Sequence, residues 1–146
     1  MIEDLGDRRR IGLRGSPVRA VSRTEAALSV TFADEVVLTV AGPVLLTDGP
    51  ETAPGAVAVG GEEWGRLVGA TVLSAIVFKS GSLRLVFSTG HHLNLRGAEP
   101  GMEASLRQPG VFRWSSRQGV SAMETLGTED QERYVVSGES TVDAAA

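Results

Sequence analysis

The sequence predicts a mainly β protein of two pseudo-symmetric three-stranded antiparallel meanders, forming a small sandwich or barrel with one or two short helices. Three observations lead to this prediction. A unit of three extended segments occurs twice, these segments alternate apolar and polar residues, and short polar turns separate them. At 146 residues the chain is long enough for one domain with its own hydrophobic core.

Composition divides the chain into three parts. Residues 1–11 are highly charged and predict a flexible N-terminal arm. Residues 12–116 contain the duplicated β domain, with its repeats at 13–41 and 67–96. Residues 117–146 are acidic and poor in apolar side chains, and they predict a disordered tail.

Matched apolar and glycine positions define the repeat. They are Leu13, Gly15, Val18, Leu28, Val30 and Phe32 in the first copy and Leu67, Gly69, Val72, Leu83, Leu85 and Phe87 in the second. The second copy has one inserted residue before its second strand. Each copy therefore predicts a first strand, at 17–23 or 71–78, followed by a β-hairpin.

The register of each hairpin follows from its apolar face. In the second copy a loop of residues 88–90 pairs Leu85 with Leu93, so that the apolar side chains share one face. In the first copy a loop of residues 33–35 pairs Val30 with Leu38 in the same way. The last loop position favours a left-handed conformation, which glycine adopts in the second copy and a glutamate must adopt in the first.

The segments outside the hairpins predict further short elements. Residues 42–62 are loop-like, and AVAVGG at 56–61 is a candidate for one short strand. GEEWGRLVG then predicts a single helical turn, with Trp64 in the core at one end of the sheet. Two strand pieces are expected at 102–107 and 111–115.

Two adjacent histidines stand out in the second hairpin. Neighbouring residues of a strand point to opposite faces, so His91 and His92 are not expected to bind one metal ion. His91 occupies the position that Val36 holds in the first copy, which favours a packing role at the rim of the apolar face. The case for function is that the first copy has no histidine there.

The L-x-G-x-x-V opening of each half, the hairpin LRLVFSTGHHLNL, and the segments MEASL and PGVFRW resemble a known family. It is an uncharacterised family of small actinobacterial β-proteins, a domain of unknown function, and the resemblance covers about residues 12–115. Since that family has no established activity, the resemblance implies a cytoplasmic β domain and no particular catalytic residue.

Composition narrows the classes of function. The chain has no cysteine, which favours a cytoplasmic location and rules out thiolate chemistry. Its net charge is −4 and its basic residues are scattered, so nucleic acid is not an expected partner. No stretch is apolar enough to span a membrane, and no motif indicates a cofactor or a metal site.

Two functions remain open. The favoured one is a non-enzymatic protein-binding or accessory module, for example of the immunity type, which binds a partner or itself through edge strands such as 17–23. The alternative is a small barrel that binds a small molecule, with cofactor-free catalysis as an option. The candidate binding residues are His91, His92, Trp64, Glu103 and Trp114, and none is assigned as catalytic.

Overall fold

Two antiparallel β-sheets pack face to face in the computed structural model, which describes residues 2–52, 61–126 and 134–137. The strands are β1 (Ile2–Asp4), β2 (Arg8–Ile11), β3 (Val18–Arg23), β4 (Ala27–Phe32), β5 (Val37–Ala41), β6 (Leu45–Asp48), β7 (Val72–Phe78), β8 (Leu83–Phe87), β9 (His91–Leu95), β10 (Glu103–Gln108), β11 (Phe112–Arg117), β12 (Val120–Leu126) and β13 (Tyr134–Ser137), and the helix is α1 (Gly61–Gly65).

Each repeat is the nucleus of one sheet. The first sheet has the order β1-β2-β7-β8-β9-β6 and contains the second repeat. The second sheet has the order β13-β12-β11-β10-β5-β4-β3 and contains the first repeat. The mainly β class is therefore confirmed, and the described strands form a sandwich because neither sheet closes on itself among them.

The hairpin registers are those that the sequence predicts. Leu85 lies opposite Leu93 in the second repeat, and Val30 lies opposite Leu38 in the first. The first strand of each repeat also has a register shift between its first and third residues, at Val18–Ala20 in β3 and at Val72–Ser74 in β7. Glu35 adopts a left-handed φ of 65° at the end of the first hairpin loop, as expected for that position.

Reciprocal hydrogen bonds relate the two repeats by a local two-fold rotation. The amide of Gly15 donates to the carbonyl of Val72 at 2.7 Å, and the amide of Gly69 donates to the carbonyl of Val18 at 2.9 Å. Both glycines have positive φ, 87° and 92°, which an L side chain rarely adopts. The duplication is therefore visible in the backbone as well as in the sequence.

The core lies between the sheets and takes side chains from both repeats. Phe32 and Phe87 are at most 1% exposed, and Leu67, Met102 and Trp114 are fully buried beside them. Burying a side chain of this size stabilises the folded state by about 1.5–3 kcal/mol. The strict alternation in β4, β8 and β9 is thus explained by one face that is removed from water.

The N-terminal segment corrects one expectation. Residues 2–11 do not form an arm outside the β domain, because β1 and β2 extend the first sheet beyond β7. Arg9 and Ile11 point inward and are 4% and 2% exposed. Three consecutive arginines suggest a solvated segment, yet the apolar stem of an arginine can cover core surface.

The boundary at residue 117 is also wrong. Residues 120–126 form β12, which pairs with β11 and places Met123 opposite Trp114 in the core. Residues 134–137 add β13 to the same sheet. The sequence hides these strands because Met123 is the one side chain of β12 that the structure buries among the residues described there.

The predicted loop at residues 42–62 contains a strand as well. β6 pairs with β9 and forms an edge of the first sheet. The helical turn with buried Trp64 is confirmed as α1. The strand candidate AVAVGG lies outside the described residues except for Gly61, where α1 begins. In the described ranges, no helix is long or apolar enough to cross a membrane.

Candidate functional site

The imidazole of His91 joins the second hairpin to helix α1. His91 is the first residue of β9, and its side chain is only 4% exposed. Its Nδ1 lies 2.8 Å from the hydroxyl of Thr89, and its Nε2 lies 2.8 Å from a carboxylate oxygen of Glu63. Both ring nitrogens are therefore engaged by the protein itself.

The partners of the ring determine where its proton resides. A carboxylate only accepts hydrogen bonds, so Nε2 of His91 must carry the proton that is donated to Glu63. The hydroxyl of Thr89 accepts the backbone N–H of His91 at 3.5 Å and can donate its own proton to Nδ1. The result is a chain of hydrogen bonds from the backbone N–H of His91 through the hydroxyl of Thr89 and the imidazole to the carboxylate of Glu63.

Glu63 is held in its ionised form by this arrangement. The hydrogen bond from His91 lowers the pKa of Glu63 below its ordinary value; partial burial opposes that effect, and the nearby guanidinium of Arg66 lowers the pKa further. Arg66 lies 3.2 Å from the carboxylate and 69% of its own side chain is exposed. The carboxylate thus connects a buried ring to solvent.

This geometry favours positioning over catalysis. A general base must reach a substrate proton directly or through one water molecule. The ring of His91 is instead hydrogen-bonded at both nitrogens between α1 and the hairpin, and clefts of about 190, 300 and 370 Å³ among the described residues are lined by other side chains. Its clearest physical effect is to anchor the helix.

His92 points to the other face of the sheet, as strand geometry predicts. It lies between Val86 and Thr47 on the neighbouring strands and is half-buried. Burial lowers the pKa of His92 below its ordinary value, and the positive charge of Arg84 lowers it further. The two rings belong to different environments, and the described residues contain no group of three or more potential metal ligands.

The two tryptophans are core residues. Trp64 is 5% exposed, and the guanidinium of Arg23 lies 5.2 Å from its ring centroid. Trp114 is fully buried in the second sheet and donates its indole N–H to the hydroxyl of Ser121 at 2.9 Å. Trp64 neighbours Glu63 in sequence, so it shares the helix that His91 anchors.

Glu103 stands apart from the other candidate residues. It is exposed at the start of β10, and the guanidinium of Arg117 lies 3.2 Å from its carboxylate. The five candidates therefore do not form one site. His91 bonds to Glu63 on the helix that carries Trp64, whereas His92 and Glu103 lie on the outer surfaces of different sheets.

Sequence reasoning missed Glu63 and Thr89. Glu63 is 28 residues from His91 and lies in a helical turn, so no spacing rule connects them. A weaker signal was available for Thr89, because a hydroxyl two residues before a strand-initial histidine can bond to it locally. The functional partners of a buried ring are set by packing, which the local pattern does not reveal.

A second feature lies on the outer face of the first sheet. Arg8 and Arg84 place their guanidinium groups 4.8 and 5.8 Å from the ring centroid of Phe78. Arg10 lies opposite Ile76, which in turn lies opposite Arg84, in a row across three strands. The face therefore combines cations with apolar surface, a composition common at protein interfaces.

Two of the arginines on this face form ion pairs within the described structure, and the third does not. Arg8 pairs with Asp7 at 2.9 Å, and Arg10 pairs with Glu3 at 2.7 Å. Among the described residues, Arg84 has no carboxylate within ion-pair distance, and its charge reaches the ring of His92. Within the described ranges, Arg84 therefore adds positive charge to this face that no carboxylate pairs with, although the net charge of the chain is −4.

Comparison with known proteins places most of the chain in one family. Residues 10–104 match the model of DUF6188, which is described as a family of unknown function. No curated protein and no solved structure matches the chain.

Proposed function

The chain belongs to DUF6188, a family of unknown function, and from that premise we propose that it is a non-enzymatic protein-binding module. It works as a cytoplasmic accessory or immunity-type protein, and it binds a partner through the outer face of the first sheet. The partner presents an acidic segment. The observation that carries the proposal is the position of Arg84, a cation without a carboxylate partner in the described structure, beside the ring of Phe78.

Charge complementarity selects the kind of partner. The Debye length is about 8 Å at physiological ionic strength, so a local cluster of cations acts on a docked surface despite the net negative charge of the chain. The pairs of Arg8 and Arg10 are solvent-exposed, and such pairs add little to stability because water and salt screen them. Carboxylates of a partner can therefore replace them, and Arg84 supplies a further contact.

The apolar part of the face adds contact area. Ile76 lies opposite Arg10 and Arg84 and is only 6% exposed, so the accessible apolar surface here comes from Phe78. Phe78 is half-buried beneath its two guanidinium groups. Arginine and aromatic side chains are enriched among the residues that dominate binding energies at interfaces. The ring of His91 is buried, and both of its nitrogens are hydrogen-bonded within the protein, which supports a binding role for the protein rather than a catalytic one.

The proposal is tested by charge reversal at one residue on each sheet. Arg84→Glu should weaken binding of a poly-L-glutamate probe at least about tenfold, because it converts an attraction into a repulsion. Arg107→Glu is the matched control, since Arg107 is an exposed arginine on the outer face of the second sheet. Fluorescence anisotropy with labelled probe at physiological salt measures both affinities.

Three outcomes contradict the proposal. Equal losses in the two variants mean that net charge alone drives binding. Tighter binding of a single-stranded DNA probe than of polyglutamate assigns the face to nucleic acid. A wild-type chain that binds neither probe, yet forms a dimer in sedimentation, assigns binding to self-association through a sheet edge such as β3.

A further inference from the structure

An open cleft lies at the end of the first repeat. It has a volume of about 300 Å³ and is lined by residues 12–17, by the turn at Ala33 and Asp34, and by Val36 and Gln108. Leu13 and Val36 form an apolar floor, since they are 4% and 2% exposed. The polar and charged side chains of the lining are Arg14, Ser16, Asp34 and Gln108.

The second repeat shows what fills the matching place there. His91 matches Val36, and Thr89 matches Asp34, once the one-residue insertion is taken into account. In the second repeat the imidazole extends from this position to the carboxylate of Glu63 on α1. In the first repeat the matching residue is Val36, which has no hydrogen-bonding group and lines the cleft.

The cleft contains polar groups without partners. The side-chain amide of Gln108 donates to the backbone carbonyl of Asp34 at 3.1 Å, whereas its Oε1 is buried without a hydrogen-bond donor. Arg14 and Asp34 carry opposite charges in the same cleft, and neither forms an ion pair within the described part of the chain. Buried acceptors are normally satisfied, so this one is a candidate ligand contact.

The hairpin turn that contributes Ala33 and Asp34 to the cleft has a strained backbone. Asp34 and Glu35 both have left-handed backbones, with φ of 60° and 65°, although neither is a glycine. The second repeat places Gly90 at the position of Glu35, with a φ of 95° that costs little. Strain of this kind persists where the surrounding structure holds it, and it clusters at binding sites.

We propose that this cleft binds a small zwitterion of the α-amino acid class. Its ammonium group donates to Oε1 of Gln108 and faces the carboxylate of Asp34. Its carboxylate binds the guanidinium of Arg14, and an aliphatic side chain packs on Leu13 and Val36. This site is separate from the outer face of the first sheet and goes beyond the proposed function.

The pair of charges selects a zwitterion over a simple ion. A lone cation would meet the guanidinium of Arg14, and a lone anion would meet the carboxylate of Asp34. A molecule that carries an ammonium and a carboxylate group on the same carbon offers one group to each side chain and forms charge-assisted hydrogen bonds with both. The small apolar floor favours a short branched side chain such as that of leucine.

The first experiment compares three probes on the full chain. L-leucine carries both charges, 4-methylpentanoate lacks the ammonium group, and 3-methylbutylamine lacks the carboxylate. We expect L-leucine to bind with a Kd of about 1 mM or tighter and each analogue about tenfold more weakly. Isothermal titration calorimetry gives the affinities, and amide chemical shifts of residues 12–17 locate the site.

The second experiment changes the cleft itself. Arg14→Gln removes the anion-binding charge at an exposed position, so it should weaken L-leucine binding about tenfold without unfolding the chain. Arg19→Gln, at an exposed arginine of β3, should leave binding unchanged. Val36→His should also abolish binding, because it introduces the ring that fills the matching place in the second repeat.

The proposal is overturned if L-leucine fails to bind at this level, if either analogue binds equally well, or if Arg14→Gln binds as the wild type does. Wild-type amide dispersion in the spectrum of each variant shows that it is folded. Polyglutamate binding, measured on the same variants, reports the outer face of the first sheet separately, so failure of one proposal is distinguished from failure of the other.

Discussion

The two repeats have the same strand arrangement and differ at the residue that follows the hairpin loop. Both contain three strands, a register shift in the first strand and a three-residue hairpin loop. They differ at the residue after the loop, where Val36 leaves an open cleft and His91 anchors a helix. The two repeats therefore share the apolar face that makes the sandwich, and the residue after the hairpin loop lines a cleft in one repeat and bonds to a helix in the other.

The flanks of the first strands differ as well. β7 is covered by β2, in which Arg9 lies opposite Val77. The edge of β3 instead has α1 nearby, with Trp64 under the guanidinium of Arg23. A strand therefore covers the edge of β7, whereas β3 is an edge strand of its sheet in the described part of the chain.

The largest effect is expected where the two repeats meet. Gly15→Ala and Gly69→Ala should each lower the free energy of unfolding by about 1–2 kcal/mol, because a left-handed backbone is unfavourable for alanine. An added Cβ meets no atom within 4 Å at either position, so the loss reports backbone conformation alone. Urea denaturation measures it.

Gly65→Ala is the matched control for this comparison. Gly65 ends α1, has no positive φ and has open space around it. Its replacement should be neutral or mildly stabilising, since alanine is favoured over glycine in helices. A large loss at one glycine of the pair with none at the other would contradict the two-fold relation of the repeats.

The next effect concerns the ring that distinguishes the second repeat. His91→Val, which copies the first repeat, should lower the free energy of unfolding by about 1 kcal/mol, because it removes the hydrogen bonds to Thr89 and Glu63. His92→Val is the control on the opposite face. If both variants unfold at the same denaturant concentration as the wild type, His91 does not anchor α1.

The smallest effect is a pH dependence. Because the folded state lowers the pKa of Glu63 below its ordinary value of 4.5, the unfolded chain binds more protons in the range just below that value. The interaction with His91 therefore stabilises the protein fully above pH 4.5, and this contribution is lost as the pH falls through the folded pKa. Glu63→Gln should flatten this part of the stability profile.

Glu62→Gln provides the comparison, since Glu62 is the exposed neighbour on the same helix. Chemical denaturation at a series of pH values between neutral and mildly acidic gives the two profiles. A Glu62→Gln profile as flat as that of Glu63→Gln would mean that general charge repulsion, and not the bond to His91, governs acid stability.

Some of this structure could be read from local patterns. Alternation in residues 83–87 and 91–95 identifies the buried face, and only one loop length keeps those side chains together, so the register follows. Matched positions such as Gly15 and Gly69 revealed the duplication. The candidate site was less accessible, because Glu63 belongs to a turn far from His91 in sequence.

The amino-acid sequence by itself determined which segments of the two repeats extend, which of their faces are apolar and that His91 and His92 point apart, because these properties depend on a period of two residues. Only the tertiary structure decided that β2 pairs with β7, that Glu63 meets His91, and that Arg14 and Gln108 share a cleft. Those relations join residues distant in sequence, and they depend on how two twisted sheets pack, which no local periodicity encodes.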